Sequence, residues 1–165
     1  MSEINPLSFF EEDVTEEINH GIRVSNLAYC VAKELGLYEE QCHELALAGM
    51  MHDIGKLYVS GYLYGRDKDT LKIEEMKYVR LHPRLGYDEL MRLDFSDFVL
   101  ESILYHHENY DGSGYPENLA GDQIPLGAKI LRVCDVSAAL TSDRPYRSAF
   151  DSDTAVELMI DEVKN

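Results

Sequence analysis

Apolar residues return at helical spacing through most of the chain. Val14, Ile18, Ile22, Leu27, Val31 and Leu35 recur every four or five residues, which predicts a helix over 14–35 with Gly36 as its stop. A second helical run over 39–51 carries Cys42, Leu45, Ala46, Gly49 and Met50 and delivers His52-Asp53 at its end. Over 54–70 the period fades among Gly55, Gly61 and Gly65, and the segment reads as a loop or irregular excursion. Helix resumes at Leu71 and runs to about His82. Pro83 there either kinks the chain or occupies the first turn of a further helix that reaches about Leu93. Asp94, Ser96 and Asp97 each suit the cap of a helix that holds Phe98, Ile103 and Leu104 and ends in His106-His107-Glu108. The stretch 109–127, with Gly112, Gly114, Gly121, Gly127, Pro116 and Pro125, reads as a long ordered loop. Helices over 126–141, carrying Asp135, and 154–163 complete the chain. No β-type alternation intervenes, so the expected fold is all-α: a compact single domain over 1–165 of about six or seven helices.

Composition agrees with a packed domain: 45% of the 165 residues are hydrophobic, enough for a core, and no apolar run is long enough to span a bilayer. The N-terminus lacks a basic leader followed by an apolar stretch, so a cytoplasmic location is the default expectation. Charge narrows the partners. With 31 acidic against 15 basic residues the net charge is −16, which disfavours DNA or RNA polymers and membrane insertion, while a small anion can still be held by local cations. Cys30, Cys42 and Cys134 are odd in number and lack CxxC spacing, so buried thiols are expected rather than disulfides or a zinc ribbon.

The chemistry lies in the histidines. His20, His52, His82, His106 and His107 stand near carboxylates or one another, and imidazole and carboxylate ligands suit Mn, Fe, Zn and related ions. Adjacent pairs such as His52-Asp53 and His106-His107 cannot both point down one helix face, so they serve a cluster best at a helix end or between elements. His43 lies in a helical run away from these groupings and is read as a surface or ordinary core histidine.

The sequence reads HGIR at His20–Arg23, HDIGK at His52–Lys56, HPRLG at His82–Gly86, HHENYDGSGYP at His106–Pro116 and CDVSAALTSDRPYR at Cys134–Arg147. In these motifs and their order it resembles the HD-GYP family of the HD-domain phosphohydrolase superfamily. The resemblance implies a helical, metal-dependent phosphodiesterase. His52, His82, His106 and His107 would be ligands of a metal pair, Asp53 would bridge the ions, and His20 and Asp135 would complete the set. A third ion would use Glu16, whose i,i+4 spacing puts it on the His20 face, whereas Glu17 is expected to point elsewhere. The cofactor is thus two or three divalent ions, Fe or Mn first, with Zn, Ni or Co compatible.

The same resemblance makes Lys56 a phosphate contact, while protonation of the leaving oxygen falls to a metal-bound water or to Lys56. Arg144 and Arg147 suit the substrate phosphates as charged, fork-shaped donors, and Arg23 orients the ligand shell. Tyr115 contacts substrate or packs as a lid, Asp111 steadies its loop, and the GYP segment is linked in the family to GGDEF-domain partners. The leading expectation is hydrolysis of cyclic di-GMP to pGpG, and onward to GMP, by a metal-activated hydroxide. The alternatives are another cyclic dinucleotide or nucleotide phosphate ester, or a catalytically weak nucleotide sensor. Two departures motivate them: Ala138 stands where the family often has aspartate, and residues 57–64, LYVSGYLY, replace the usual segment after HDIGK.

Overall fold

The computed structural model describes the backbone of residues 6–63, 77–143 and 147–164, and side chains over 15–59, 77–143 and 147–161. Its helices are α1 (Pro6–Glu34), α2 (Glu39–Met51), α3 (Lys56–Leu63), α4 (His82–Leu90), α5 (Asp97–Leu104), α6 (Leu126–Leu140) and α7 (Ser152–Lys164). Short 3-10 turns lie at Met91–Leu93 and Gly121–Gln123. Among the described residues there is no sheet, only an isolated bridge between Asp111 and Ala120 inside the long loop.

The core follows from the apolar faces. Val24, Ala28 and Ala32 of α1 meet Cys42, Leu45 and Ala48 of α2, and small residues on both sides let the two helices lie close. α6 closes the layer against α1 with Ile130, Leu131 and Ala138, and α5 inserts Val99 and Ile103 between α2 and α6. Leu45, Ile103 and Leu131 are fully buried, each contributing about 1.5–3 kcal/mol through removal from water. α4 packs on α5, α3 on α4, and α7 on the outer side of α6. None of the described helices is long and apolar enough to cross a membrane.

Local signals set the helix limits. Ser96 is the cap of α5, its Oγ accepting from Val99 N at 3.2 Å. Pro83 sits in the first turn of α4, where its missing N–H has no intrahelical role. The expected irregular stretch over 54–70 is corrected in its first half: Lys56–Leu63 is helical, a two-turn element too short and too evenly apolar to show a period, while 64–70 and the expected helix onset at Leu71 lie outside the described residues. The first helix also starts earlier than the Val14 onset suggested. Cys42 and Cys134 are buried thiols as expected, but Cys30 is exposed, because its position on α1 turns away from the core.

Candidate metal centre

α2 ends one residue before His52, and the turn at 52–55 throws His52 and Asp53 in different directions around the same centre. That turn is tight. A β-carbon on Gly55 would collide with the backbone carbonyl of His82, so only glycine lets the His52-Asp53 turn reach the start of α4. α5 delivers His106 and His107 just past its end, α1 supplies His20 from its middle, and α6 supplies Asp135.

The potential ligand atoms form two groups: Asp53, His82, His106 and His107 in one, and His20, His52 and Asp135 in the other. Asp53 joins them. Its Oδ1 lies 3.1 Å from His82 Nε2 and its Oδ2 lies 3.1 Å from His52 Nε2. Asp135 Oδ1 is 2.9 Å from His20 Nε2 and 3.8 Å from His52 Nε2.

The donor set fits divalent ions. His52, His82 and His106 each direct Nδ1 at a backbone carbonyl three residues earlier: Gly49 at 2.8 Å, Val79 at 2.6 Å and Ile103 at 2.6 Å. A carbonyl only accepts, so each Nδ1 carries a proton and, in the neutral ring, each Nε2 turns a lone pair inward. Buried His52 Nε2 has no aligned hydrogen-bond partner, and the Nε2 atoms of His82 and His106 face each other at 3.3 Å. Inward lone pairs beside two carboxylates are the arrangement that imidazole and oxygen ligation of a cation requires.

The electrostatics point the same way. Burial opposes ionisation of Asp53, but His52, His82 and Lys56 overrule it and hold its carboxyl well below the usual range. Burial likewise opposes ionisation of Asp135, and the His20 hydrogen bond with His52 and His106 nearby keeps its value lowered. His106 is held well below the ordinary imidazole value by burial and by the neighbouring rings, and His107 is pushed down to about 3 by burial, His82 and Arg132. His52 is the exception, raised despite its burial by the charges of Asp53 and Asp135, which favour its protonated form as they would a cation beside it.

Around this centre, Lys56 Nζ donates to Asp53 Oδ2 at 2.7 Å and to Glu17 Oε1 at 3.2 Å. Burial disfavours the ammonium, but the two carboxylates raise its pKa and keep it charged. Glu17 therefore reaches the site, contrary to the expectation that it points elsewhere; three residues before His20 it shares that helix face, and the long lysine spans the gap between α1 and α3. Glu16 lies with His20, Arg23 and Ser142 on the wall of an adjoining cavity, outside both ligand groups. His43 is exposed and pairs with Glu39 at 3.4 Å, away from the centre.

Tyr115 stacks on His107, ring centres 4.7 Å apart with 18° between planes, and Arg80 lies over the Tyr115 ring at 5.3 Å. Asp111 holds its loop, accepting from Ser113 N at 2.9 Å and Ser113 Oγ at 2.6 Å. Arg147 is spent otherwise than its expected phosphate contact suggests. Its guanidinium donates to the carbonyls of Ala139 and Leu140, both at 3.0 Å, and to Ser148 at 2.9 Å. Arg144 lies outside the described residues. Ala138 is buried in the core one turn after Asp135.

Two further residues matter that pattern reading left aside. Arg132 places NH1 3.3 Å from His107 Nδ1, bringing a guanidinium to the edge of the ligand cluster; its spacing of three before Asp135 was the available signal. Glu108, buried directly after the histidine pair, accepts from Glu117 N at 2.7 Å and Leu119 N at 3.0 Å and so fastens the loop to the site.

A helical domain with clustered histidines and aspartates of this kind defines the class of metal-dependent phosphohydrolases. The HD-domain family model, described as "HD domain", matches residues 10–165, and the chain belongs to the HD-domain phosphohydrolase superfamily in its HD-GYP branch. It is 41% identical over 137 residues to the cyclic di-GMP phosphodiesterase response regulator RpfG of Xanthomonas campestris pv. campestris, covering 81% of this chain and 36% of that protein. Over 146 residues it is 36% identical to the 3'3'-cGAMP-specific phosphodiesterase 1 of Vibrio cholerae, covering 87% of this chain and 33% of that one. The chain thus spans about a third of the length of these curated relatives. The fold matches that of Bd1817, an HDG"Y"P protein from Bdellovibrio bacteriovorus, with a TM-score of 0.68 at 22% identity, over 89% of this chain and 47% of that one.

Proposed function

We propose that the chain hydrolyses the phosphodiester bonds of cyclic di-GMP, giving pGpG and then GMP. The observation that carries this reading is the division of Asp53 between His82 and His52, one oxygen toward each ligand group, the placement a carboxylate bridging two ions needs. Asp53, His82, His106 and His107 would hold one ion, and His20, His52 and Asp135 with Asp53 the other, with Glu16 available to a third. Bound divalent ions, Fe or Mn first, supply Lewis acidity and lower the pKa of water at the site.

The chain's own groups account for the rest. Hydrolysis to pGpG forms a bond from a water oxygen to phosphorus and breaks the one to the ribose 3' oxygen, the proton lost by the water balancing the one gained by the departing oxygen, so what the protein must supply beside the ions is cationic charge for the phosphate. Lys56, kept charged by Asp53 and Glu17, is a poor proton donor near neutrality and serves better as the cation facing the phosphate. Arg132 offers forked donors on the His107 side, and Arg144 is proposed for the second phosphate on the family resemblance. A GGDEF-domain partner at the GYP loop is proposed on the same ground.

A second reading has specific support: relatives of comparable identity are 3'3'-cGAMP-specific phosphodiesterases. Metal-analysed protein, purified without oxygen and supplied with Fe(II) or Mn(II), is to be given both cyclic dinucleotides and its products separated by chromatography. Conversion of cyclic di-GMP to pGpG, lost in Asp53→Ala together with bound metal, is the expected result. Equal turnover and metal content in D53A would overturn the bridge, and cleavage of 3'3'-cGAMP alone would reassign the substrate.

A further inference from the structure

His107 differs from the other three histidines of the centre that lie at chain turns. Backbone carbonyls anchor Nδ1 of His52, His82 and His106. His107 Nδ1 instead faces the Arg132 guanidinium at 3.3 Å, and a guanidinium only donates, so it does not impose the protonated Nδ1 that the carbonyls impose. The ring is held at its edge by Arg132 and packs against His106 at 4.1 Å and, in a near-parallel stack, against Tyr115 at 4.7 Å.

We propose that Tyr115 is a positioning residue that orients His107 for ligation, through the parallel stack of the two rings at 4.7 Å. The proposal rests on the metal reading above and deepens it by giving the GYP tyrosine a role toward the ion rather than toward the substrate. The loop supports that role. Tyr115 N donates to the carbonyl of His107 itself at 3.1 Å, so the residue that stacks on the ring is tied to the ring's own backbone. A β-carbon on Gly114 would collide with Glu108 Cα and Asn109 N; glycine there lets the loop fold back far enough to lay Tyr115 on His107. Arg80 over the Tyr115 ring adds a cation to the assembly. The ring is half-buried and meets His107 with its face, 18° from parallel.

The test uses the full chain stripped of metal and titrated with Mn(II), free Mn(II) being followed by electron paramagnetic resonance. Wild type and Tyr115→Phe, which keeps the stack, are expected to give the same curve. Tyr115→Leu, which keeps bulk but loses the aromatic face, is expected to weaken one Mn(II) site about tenfold or more and leave the other unchanged, the usual scale for a group that orients a ligand. Circular dichroism of Y115L verifies the fold; should it fail to fold, Arg80→Ala is read instead, with a smaller loss at the same site. A wild-type titration from folded Y115L, or from R80A in its place, overturns the proposal, and a raised KM with unaltered Mn(II) binding would make Tyr115 a substrate contact. Absence of Mn(II) binding by wild type would instead strike the metal reading itself.

Discussion

The Nε2 atoms of His82 and His106 stand 3.3 Å apart while both Nδ1 atoms are engaged by carbonyls. Two inward lone pairs repel unless a cation or proton lies between them. Metal is therefore expected to stabilise the fold: at a free Mn(II) concentration of 100 times Kd the gain is about 2.7 kcal/mol per site. Thermal unfolding with and without a chelator checks this, and an unchanged midpoint in protein shown to lose its metal would contradict it.

Lys56 sits between Asp53 and Glu17 with its ammonium at the edge of the centre. Lys56→Met is expected to retain metal while lowering kcat/KM for the cyclic dinucleotide about tenfold or more, the scale of one charge-assisted hydrogen bond. Steady-state kinetics alongside metal analysis distinguish the outcomes. Metal lost together with activity would make Lys56 a support for Asp53 rather than a phosphate contact.

The metal-free protein should lose stability on mild acidification. His106 and His107 have folded-state values below the unfolded imidazole value of about 6.5, through burial first and then neighbouring cations. Below that pH the unfolded chain binds more protons than the folded one, so stability rises with pH through the window and is complete above it, by up to about 1.4 kcal/mol per pH unit for each histidine. His52 has a raised value and acts in the opposite sense, its contribution present below about 6.5 and lost as pH climbs through the folded value. Denaturant unfolding between pH 5 and 6.5 should give a positive slope, reduced by about one proton in His107→Gln. An equal slope in H107Q would remove that ring from the account.

Glu108 uses both carboxylate oxygens on backbone donors of the loop, Oε1 for Glu117 and Oε2 for Leu119. In Glu108→Gln one oxygen becomes an amide nitrogen, which faces an N–H with another donor. A loss of about 1–3 kcal/mol is expected in denaturant unfolding. Wild-type stability in E108Q would mean that the loop is secured elsewhere, for example by Asn118 on the Gly114 carbonyl.

Helix positions were readable because each follows from spacing along one element. The run at Glu39–Met51, the Ser96 cap and the turn placement of Pro83 all use rules local to a few residues. Gathering His20, His52, His82, His106, His107 and Asp135 required the family resemblance, since nothing in their separations dictates that α1, α2, α4, α5 and α6 converge. What escaped depended on side-chain reach or on tertiary partners. Glu17, three residues before His20, shares its helix face, and a lysine from α3 extends to it. Arg147 has the composition of a phosphate binder, but carbonyls at the end of α6 claim its donors. Helix α3 has too few residues to display a period.

The three carbonyls engaged by His52, His82 and His106 belong to terminal turns of helical segments, where backbone acceptors have no donor from the helix itself. Each imidazole thus finishes the helical segment that precedes it with one nitrogen and presents the other to the centre. The two duties make different demands on a replacement side chain. An aspartate could offer oxygen to an ion but would set an acceptor against an acceptor, whereas an asparagine could complete the terminus and supply a much poorer ligand. Folding competence and ion capacity are therefore separable at these three positions, and a population of His→Asn variants would keep the architecture while emptying the centre one donor at a time.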